Sequence, residues 1–304
     1  MNKYLIYIFI LFNINNASEL ITPIPKIINY DIKKAVLGKK LFYEIKLSHD
    51  NSTSCASCHI LEDGGDDNIE VSYGINGKKG TRNSPTVFNA RYNYYQFWDA
   101  SVKTLEEQAY GPMHNPVEMG SNFGEIIGKL KNDKYYYDVF NKIYGEINEN
   151  NIIDAIVEFE KTLITPNSKF DKYLNGNKNI LTKIEKIGYS NFKKYGCISC
   201  HNGINIGGNL IQKIGIISSY KSEDLGRYVI TKNNKDKYYF KVPSLRNVNI
   251  TAPYFHDGKI KTLSEAVSLM AKYQIGFHIT NNELESIIAF LKTLTGDQSL
   301  LIKN

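Results

Sequence analysis

Cys55-Ala56-Ser57-Cys58-His59 and Cys197-Ile198-Ser199-Cys200-His201 are two copies of one pentapeptide, Cys-X-X-Cys-His, and together they hold all four cysteines of the 304-residue chain. In such a motif two thiols add across the vinyl groups of a haem and the next residue, histidine, ligates its iron. No cysteine is left for a disulfide or a thiol nucleophile. Four thiolates could instead hold a structural zinc ion. That alternative explains neither the histidine after each pair nor the wide separation of the pairs. Two covalent haems imply redox chemistry, and the open question is whether both irons only carry electrons or one is free to react.

Working outward from the motifs, each follows a helical pattern, over 32–42 and 184–195. Further stretches with apolar residues at helical spacing predict helices over 31–43, 104–109, 123–131, 152–163, 181–195, 263–273 and 282–294. Thr262 and Thr280 read as N-caps, each with a glutamate three residues on, Glu265 and Glu283, to close a capping box. The Gly- and Asn-rich stretches 64–80 and 232–237 read as loops, the second as the tip of a short hairpin. The expected fold is all-α: two cytochrome c-like haem domains in tandem, with long loops and little β structure.

An internal repeat supports the two domains. Pro85-Thr86-Val87-Phe88-Asn89 returns as Pro243-Ser244-Leu245-Arg246-Asn247. At the same offset Phe97-Trp98-Asp99 returns as Phe255-His256-Asp257, and Lys103-Thr104-Leu105 as Lys261-Thr262-Leu263. The domains are expected over 18–165 and 166–304.

The first residues, MNKYLIYIFILFNINNASEL, carry one early lysine, an apolar run from Leu5 to Phe12 and a small residue at Ala17. This is the pattern of a secretory signal peptide over 1–17, too short to span a bilayer. Export to the periplasm agrees with haem c, and no stable membrane insertion is expected after cleavage. The formal charge of +6 omits the haem propionates, and the basic residues are scattered, so no nucleic-acid partner is indicated.

The side of each haem opposite its histidine decides function, because a second strong ligand makes an electron carrier and an open position permits chemistry. Met270 lies in the predicted helix after Thr262, where it reads as a sixth ligand or as a core filler. The repeat offset carries Met270 back onto Pro112, which cannot ligate iron, although Met113 is adjacent.

Here the sequence resembles the bacterial di-haem cytochrome c peroxidases over nearly the whole mature chain. The resemblance rests on both haem motifs, Asn83-Ser84-Pro85-Thr86, Gln96-Phe97-Trp98-Asp99, Leu105-Glu106-Glu107-Gln108, Gly111-Pro112, Asn115-Pro116-Val117-Glu118-Met119, Pro253-Tyr254-Phe255-His256-Asp257-Gly258 and the Met270 helix. It implies a peroxidatic haem on His59 and a high-potential haem on His201 and Met270. The second haem would take electrons from a small donor protein, such as a c-type cytochrome, to reduce hydrogen peroxide to water. It implies Glu118 as the proton-transferring carboxylate, Gln108 as the group orienting peroxide, and Trp98 as the bridge between haems. His256 would meet a haem propionate, and Asn83, Thr251 and Pro253 would hold a calcium ion. Family members are often dimers, so a homodimer is among the implied assemblies. Where many members carry a histidine that blocks the first iron, this chain has Ile75, which implies a first haem already open when oxidised. Two other functions stay in view: oxidation of residues on a partner protein, in which a tyrosine such as Tyr273 replaces the methionine ligand, and plain di-haem electron transfer.

Overall fold

The computed structural model describes residues 20–298, so the expected signal peptide lies outside the described residues. The first half contains α1 (Ile32–Phe42), α2 (Cys55–Cys58), α3 (Leu105–His114), α4 (Phe123–Lys131), α5 (Lys134–Tyr144) and α6 (Glu149–Thr162). The second contains α7 (Lys169–Leu174), α8 (Lys183–Lys194), α9 (Tyr228–Thr231), α10 (Leu263–Met270) and α11 (Asn281–Lys292). Strands β1 (Ile211–Lys213) and β2 (Tyr239–Lys241) pair antiparallel with Gln212 opposite Phe240. The fold is helical with little β structure, as the sequence predicts.

Two packed helix pairs, α1 with α6 and α8 with α11, repeat one another. In each, a glycine lets the helices meet at backbone distance: a Cβ on Gly38 of α1 would lie 1.8 Å from the Ala155 carbonyl oxygen of α6, and one on Gly188 of α8 lies 1.8 Å from that of Ser286 in α11. Leu37, Leu41, Phe140, Ile152 and Ile156 are among the buried residues of the first core, and Phe170, Tyr189, Phe192, Phe290 and Leu294 of the second. The repeat is also visible in backbone conformation, because Phe97 and Phe255 both take positive φ, 57° and 69°. Equivalent antiparallel bridges, Gln96 with Val102 and Tyr254 with Ile260, close around them.

Several elements depart from expectation. Helix α3 runs on to His114 because a threonine cap and Glu107 close a full capping box at its start, and Pro112 only removes one amide from the ladder. Helix α5 was not foreseen; Asp133 caps it and it buries only Tyr136 and Phe140. Thr280 and Glu283 form the reciprocal box, whereas Thr262 makes its half with the Glu265 amide. The 232–237 stretch is not a hairpin tip. It holds a left-handed Lys232 ending α9 and a 3-10 turn, Asn234–Asp236.

The chain's first described residues pack on the second core. Ile21 and Ile24 are buried, Ile21 within the second cluster. The Gly203 amide donates to the Leu20 carbonyl at 2.6 Å and Arg246 Nη2 to the Thr22 carbonyl at 2.9 Å. Arg246 is paired with Asp171 at 2.7 Å, with both side chains out of solvent.

Candidate functional site

Each Cys-X-X-Cys-His motif forms a short helical turn, α2 in the first half and the 3-10 turn Cys197–Ser199 in the second. The histidine that follows turns Nδ1 to a backbone carbonyl, His59 to Gly65 at 3.2 Å and His201 to Ile206 at 3.4 Å. With Nδ1–H donating, Nε2 is left as the free lone pair, which is the arrangement a metal-binding imidazole needs. Burial lowers the pKa of both rings, that of His201 to about 4, so both stay neutral and able to ligate. Burial likewise pushes the Cys55 thiol up to about 12 and the Cys197 thiol to about 11. Among the described residues no three His, Cys, Asp or Glu side chains converge as a metal cluster, so the two cysteine pairs do not form one zinc centre.

The second motif opens on a cavity of about 270 Å³ lined by Cys197, Cys200, His201 and Met270, with Leu263, Val267 and Leu291 supplying apolar wall. Met270 ends α10, immediately before a π-helical turn, Ala271–Ile275, closed by Gly276 at φ 70°. Such turns shift side chains out of helical register and recur at functional sites. Tyr273 lies within that turn and packs edge-on against Tyr220, ring centroids 6.1 Å apart. A flat apolar group held by two thiols, a neutral histidine and a methionine fits this cavity, and haem has those requirements.

Around the first motif, Cys55 and Ala56 pack on Phe42, Leu61, Val87, Phe88, Phe159 and Leu163. Burial raises the Cys58 thiol to about 11, a Ser72 hydrogen bond opposes this, and the charges of Asp67 and Glu118 add to it. Glu118, in the loop after α3, is thus near enough to the first motif for its charge to act on Cys58. Burial raises the pKa of its carboxyl, against a hydrogen bond that Asn115 Nδ2 donates to Oε1 at 2.7 Å. Gln108, half-buried on α3, makes no side-chain hydrogen bond among the described residues. Met113 is 2% exposed in the first helical core with Leu37, Ile126 and Ile156, so it is a packing residue. His114 stacks on Tyr110 at 4.0 Å, His49 pairs with Glu125 at 2.9 Å, and His278 is exposed.

Ile75 sits in the loop that faces Glu118. It is 4% exposed, its amide donates to the Glu118 carbonyl at 2.8 Å, and its side chain fills the space beside Gly120. A Cβ on the preceding Gly74 would lie 1.9 Å from the Val117 carbonyl oxygen, so the two loops touch through backbone.

Trp98 spans the two halves. Its Nε1 donates to the Asn83 carbonyl at 2.8 Å, its backbone carbonyl accepts from Lys241 at 2.7 Å, and it lines the second cavity. His256, 2% exposed, stands edge-on to Trp98 with centroids 6.4 Å apart, stacks on Phe240 at 4.1 Å, and bonds Ser222 Oγ through Nε2 at 2.9 Å. Asn83, Thr251 and Pro253 line the same cavity as Asp66, whose buried Oδ1 has no hydrogen-bond partner. Asn83 Nδ2 donates to the Ile69 carbonyl at 2.9 Å, which identifies Oδ1 as the amide's free end.

Sequence reasoning missed three buried ionisable residues here: Asp66, Glu160 and Lys241. Asp66 closes a Gly64-Gly65 turn and Lys241 interrupts an apolar run just before the repeated Pro243; those were the available signals. Glu160 lies in Glu158-Phe159-Glu160-Lys161, which reads as a solvated helix face.

Two duplicated halves, each presenting a Cys-X-X-Cys-His turn with an anchored neutral histidine, define a di-haem c-type protein. The chain belongs to the di-haem cytochrome c peroxidase family. The model of that family matches residues 32–179. Cytochrome c551 peroxidase of Nitrosomonas europaea is 45% identical over 93% of this chain and 86% of its own length. Cytochrome c peroxidase Ccp of Escherichia coli is 44% identical over 92% of this chain, which spans 62% of that protein's length. A solved MauG-like protein associated with microbial copper homeostasis superposes with a TM-score of 0.81 at 28% identity, covering 96% of this chain and 97% of the other.

Proposed function

We propose that the protein is a periplasmic peroxidase that reduces hydrogen peroxide to water with electrons from a small reduced cytochrome or similar donor. His201 and Met270 would hold a haem able to accept electrons from the donor, His59 would hold the haem at which peroxide is reduced, and Trp98 would stand between the two. The bound haems supply the redox chemistry. Glu118 takes a proton from peroxide and returns it to the departing oxygen, and Gln108 orients the substrate and stabilises charge on that oxygen. What supports this reading is that Glu118, a carboxylate with its pKa raised by burial, lies near enough to the first haem motif for its charge to act on Cys58.

The same reading leaves the first haem open in the oxidised protein. Ile75 cannot ligate, its loop is tied to Glu118, and Met113 is held in the core. The placement of Met270 in the cavity wall favours peroxide reduction over partner-protein oxidation, since Tyr273 packs on Tyr220 instead. A calcium ion on Asn83 Oδ1 and the Thr251 and Pro253 carbonyls would also give the orphaned Asp66 oxygen a positive neighbour.

Turnover of hydrogen peroxide by the haem-loaded protein with a reduced small cytochrome c tests the proposal. Full activity from the fully oxidised form is expected. Activity only after pre-reduction would overturn the open first haem, and none from either form would overturn the peroxidase assignment.

A further inference from the structure

The wall of the second cavity that faces the first half contains a cation without a counter-ion. Lys241, at the end of β2, is 6% exposed and lines the cavity with Trp98, Phe240 and His256. Among the described residues its ammonium makes no hydrogen bond or ion pair. The acid whose charge acts on it, Asp99, is already held by Arg82 at 2.5 Å. Arg82 also binds Asp224 at 2.6 Å, and Arg227 spends its guanidinium on the Asp99 and Ala100 carbonyls. His256 has its Nε2 on Ser222, and Lys213 of β1 adds a second positive charge to the cavity lining. An ammonium on a side chain this buried with no direct anionic partner is costly, and burial, against the opposing charge of Asp99, draws its pKa down to about 8.

We propose that Lys241 is the counter-ion of a propionate carboxylate of the second haem, and that the pair holds that haem's potential high and nearly independent of pH. The proposal rests on the second haem occupying the Met270 cavity. Its chemistry is charge-assisted hydrogen bonding between an ammonium and a carboxylate in a water-poor wall. A positive charge there favours the reduced iron, and it keeps the propionate ionised so that reduction is not tied to proton uptake. Lys241 acts as a positioning and tuning residue, since it reaches the iron only through the haem carboxylate.

The test compares the full-length, haem-loaded protein with Lys241→Met and Lys241→Arg variants by spectroelectrochemical titration of the second haem through neutral and alkaline pH. The methionine variant is expected to shift the reduction equilibrium at least tenfold toward oxidised haem, which is about 59 mV for one electron. Its potential should also gain a pH dependence that the parent lacks. The arginine variant should keep the parent's potential. A methionine variant with the parent's potential and pH profile overturns the proposal, as does an arginine variant that falls equally far. If the methionine variant does not fold, resonance Raman propionate bending bands that are identical in parent and arginine variant overturn it as well. Absence of any low-spin second haem would instead count against the haem assignment itself.

Discussion

Asn89 and Asn247, equivalent residues of the two halves, adopt the same left-handed backbone conformation, φ 63° and 62°, and both donate to one acceptor, Thr165 Oγ1, at 2.8 and 3.0 Å. All three are completely buried. Replacing the hydroxyl by a methyl keeps the shape and leaves two amides without an acceptor, at roughly 1–3 kcal/mol each. Thr165→Val is therefore expected to lower the denaturation midpoint of the haem-loaded protein clearly while the haem spectra stay intact. An unchanged midpoint would show that the shared hydroxyl is dispensable.

Glu118→Gln keeps the volume and the Asn115 contact but cannot accept a proton. Peroxide turnover should fall about 10²- to 10⁴-fold, with the second haem's potential unmoved. Because burial raises the carboxyl pKa, the parent's activity should decline as pH falls at a higher pH than an ordinary glutamate would produce. Removing the opposing bond in Asn115→Leu should push that decline further toward neutral pH. A pH–rate profile identical in both proteins would disconnect Glu118 from the proton transfer.

Gly74 permits the backbone contact that seats the Glu118 loop. Gly74→Ala must displace that loop, since no room exists beside the Val117 carbonyl. A displacement of about 1 Å costs on the order of 10²-fold in rate when it moves a reacting group. Turnover should drop toward that of Glu118→Gln with haem content preserved. Wild-type turnover in this variant would mean that the loop contact does not position the carboxylate.

Glu160 is 6% exposed, has a buried Oε2 without a partner, and has its pKa raised from 4.5 to about 8, by burial first and the Glu106 charge second. The folded state thus keeps a proton that the unfolded chain loses above its own pKa. Stability falls as pH rises between those two values and levels off above the upper one, by roughly a few kcal/mol in all. Glu160→Gln should flatten that part of the pH–stability curve and stabilise the protein at alkaline pH. Equal slopes for parent and variant would show that the carboxyl is solvated or paired in solution.

Much of this was legible in the residues. Cys-X-X-Cys-His admits few readings, and helices such as α4 announce themselves because their apolar face repeats at helical spacing. The repeat predicted that Asn89 and Asn247 are equivalents, but not that they share Thr165, because long-range hydrogen bonds leave no local pattern. Helix α5 escaped because its tyrosines face outward as well as inward: Tyr135 and Tyr137 are exposed while Tyr136 is buried. Lys241 and Glu160 escaped for a related reason. A charged residue normally signals solvent, and only the packed structure shows that these two do not reach it.

The strap formed by Leu20, Thr22 and Ile24 makes the molecule a closed circuit. The described residues begin on the second half, travel through the whole of the first, and return to the second. The second half therefore depends on a segment that precedes the first half in the chain. A fragment beginning after residue 165 would lack Ile21 and Ile24 and would leave the Arg246–Asp171 pair under an unsealed wall. Excising the second half as an independent small cytochrome should thus fail unless the strap peptide is supplied alongside it.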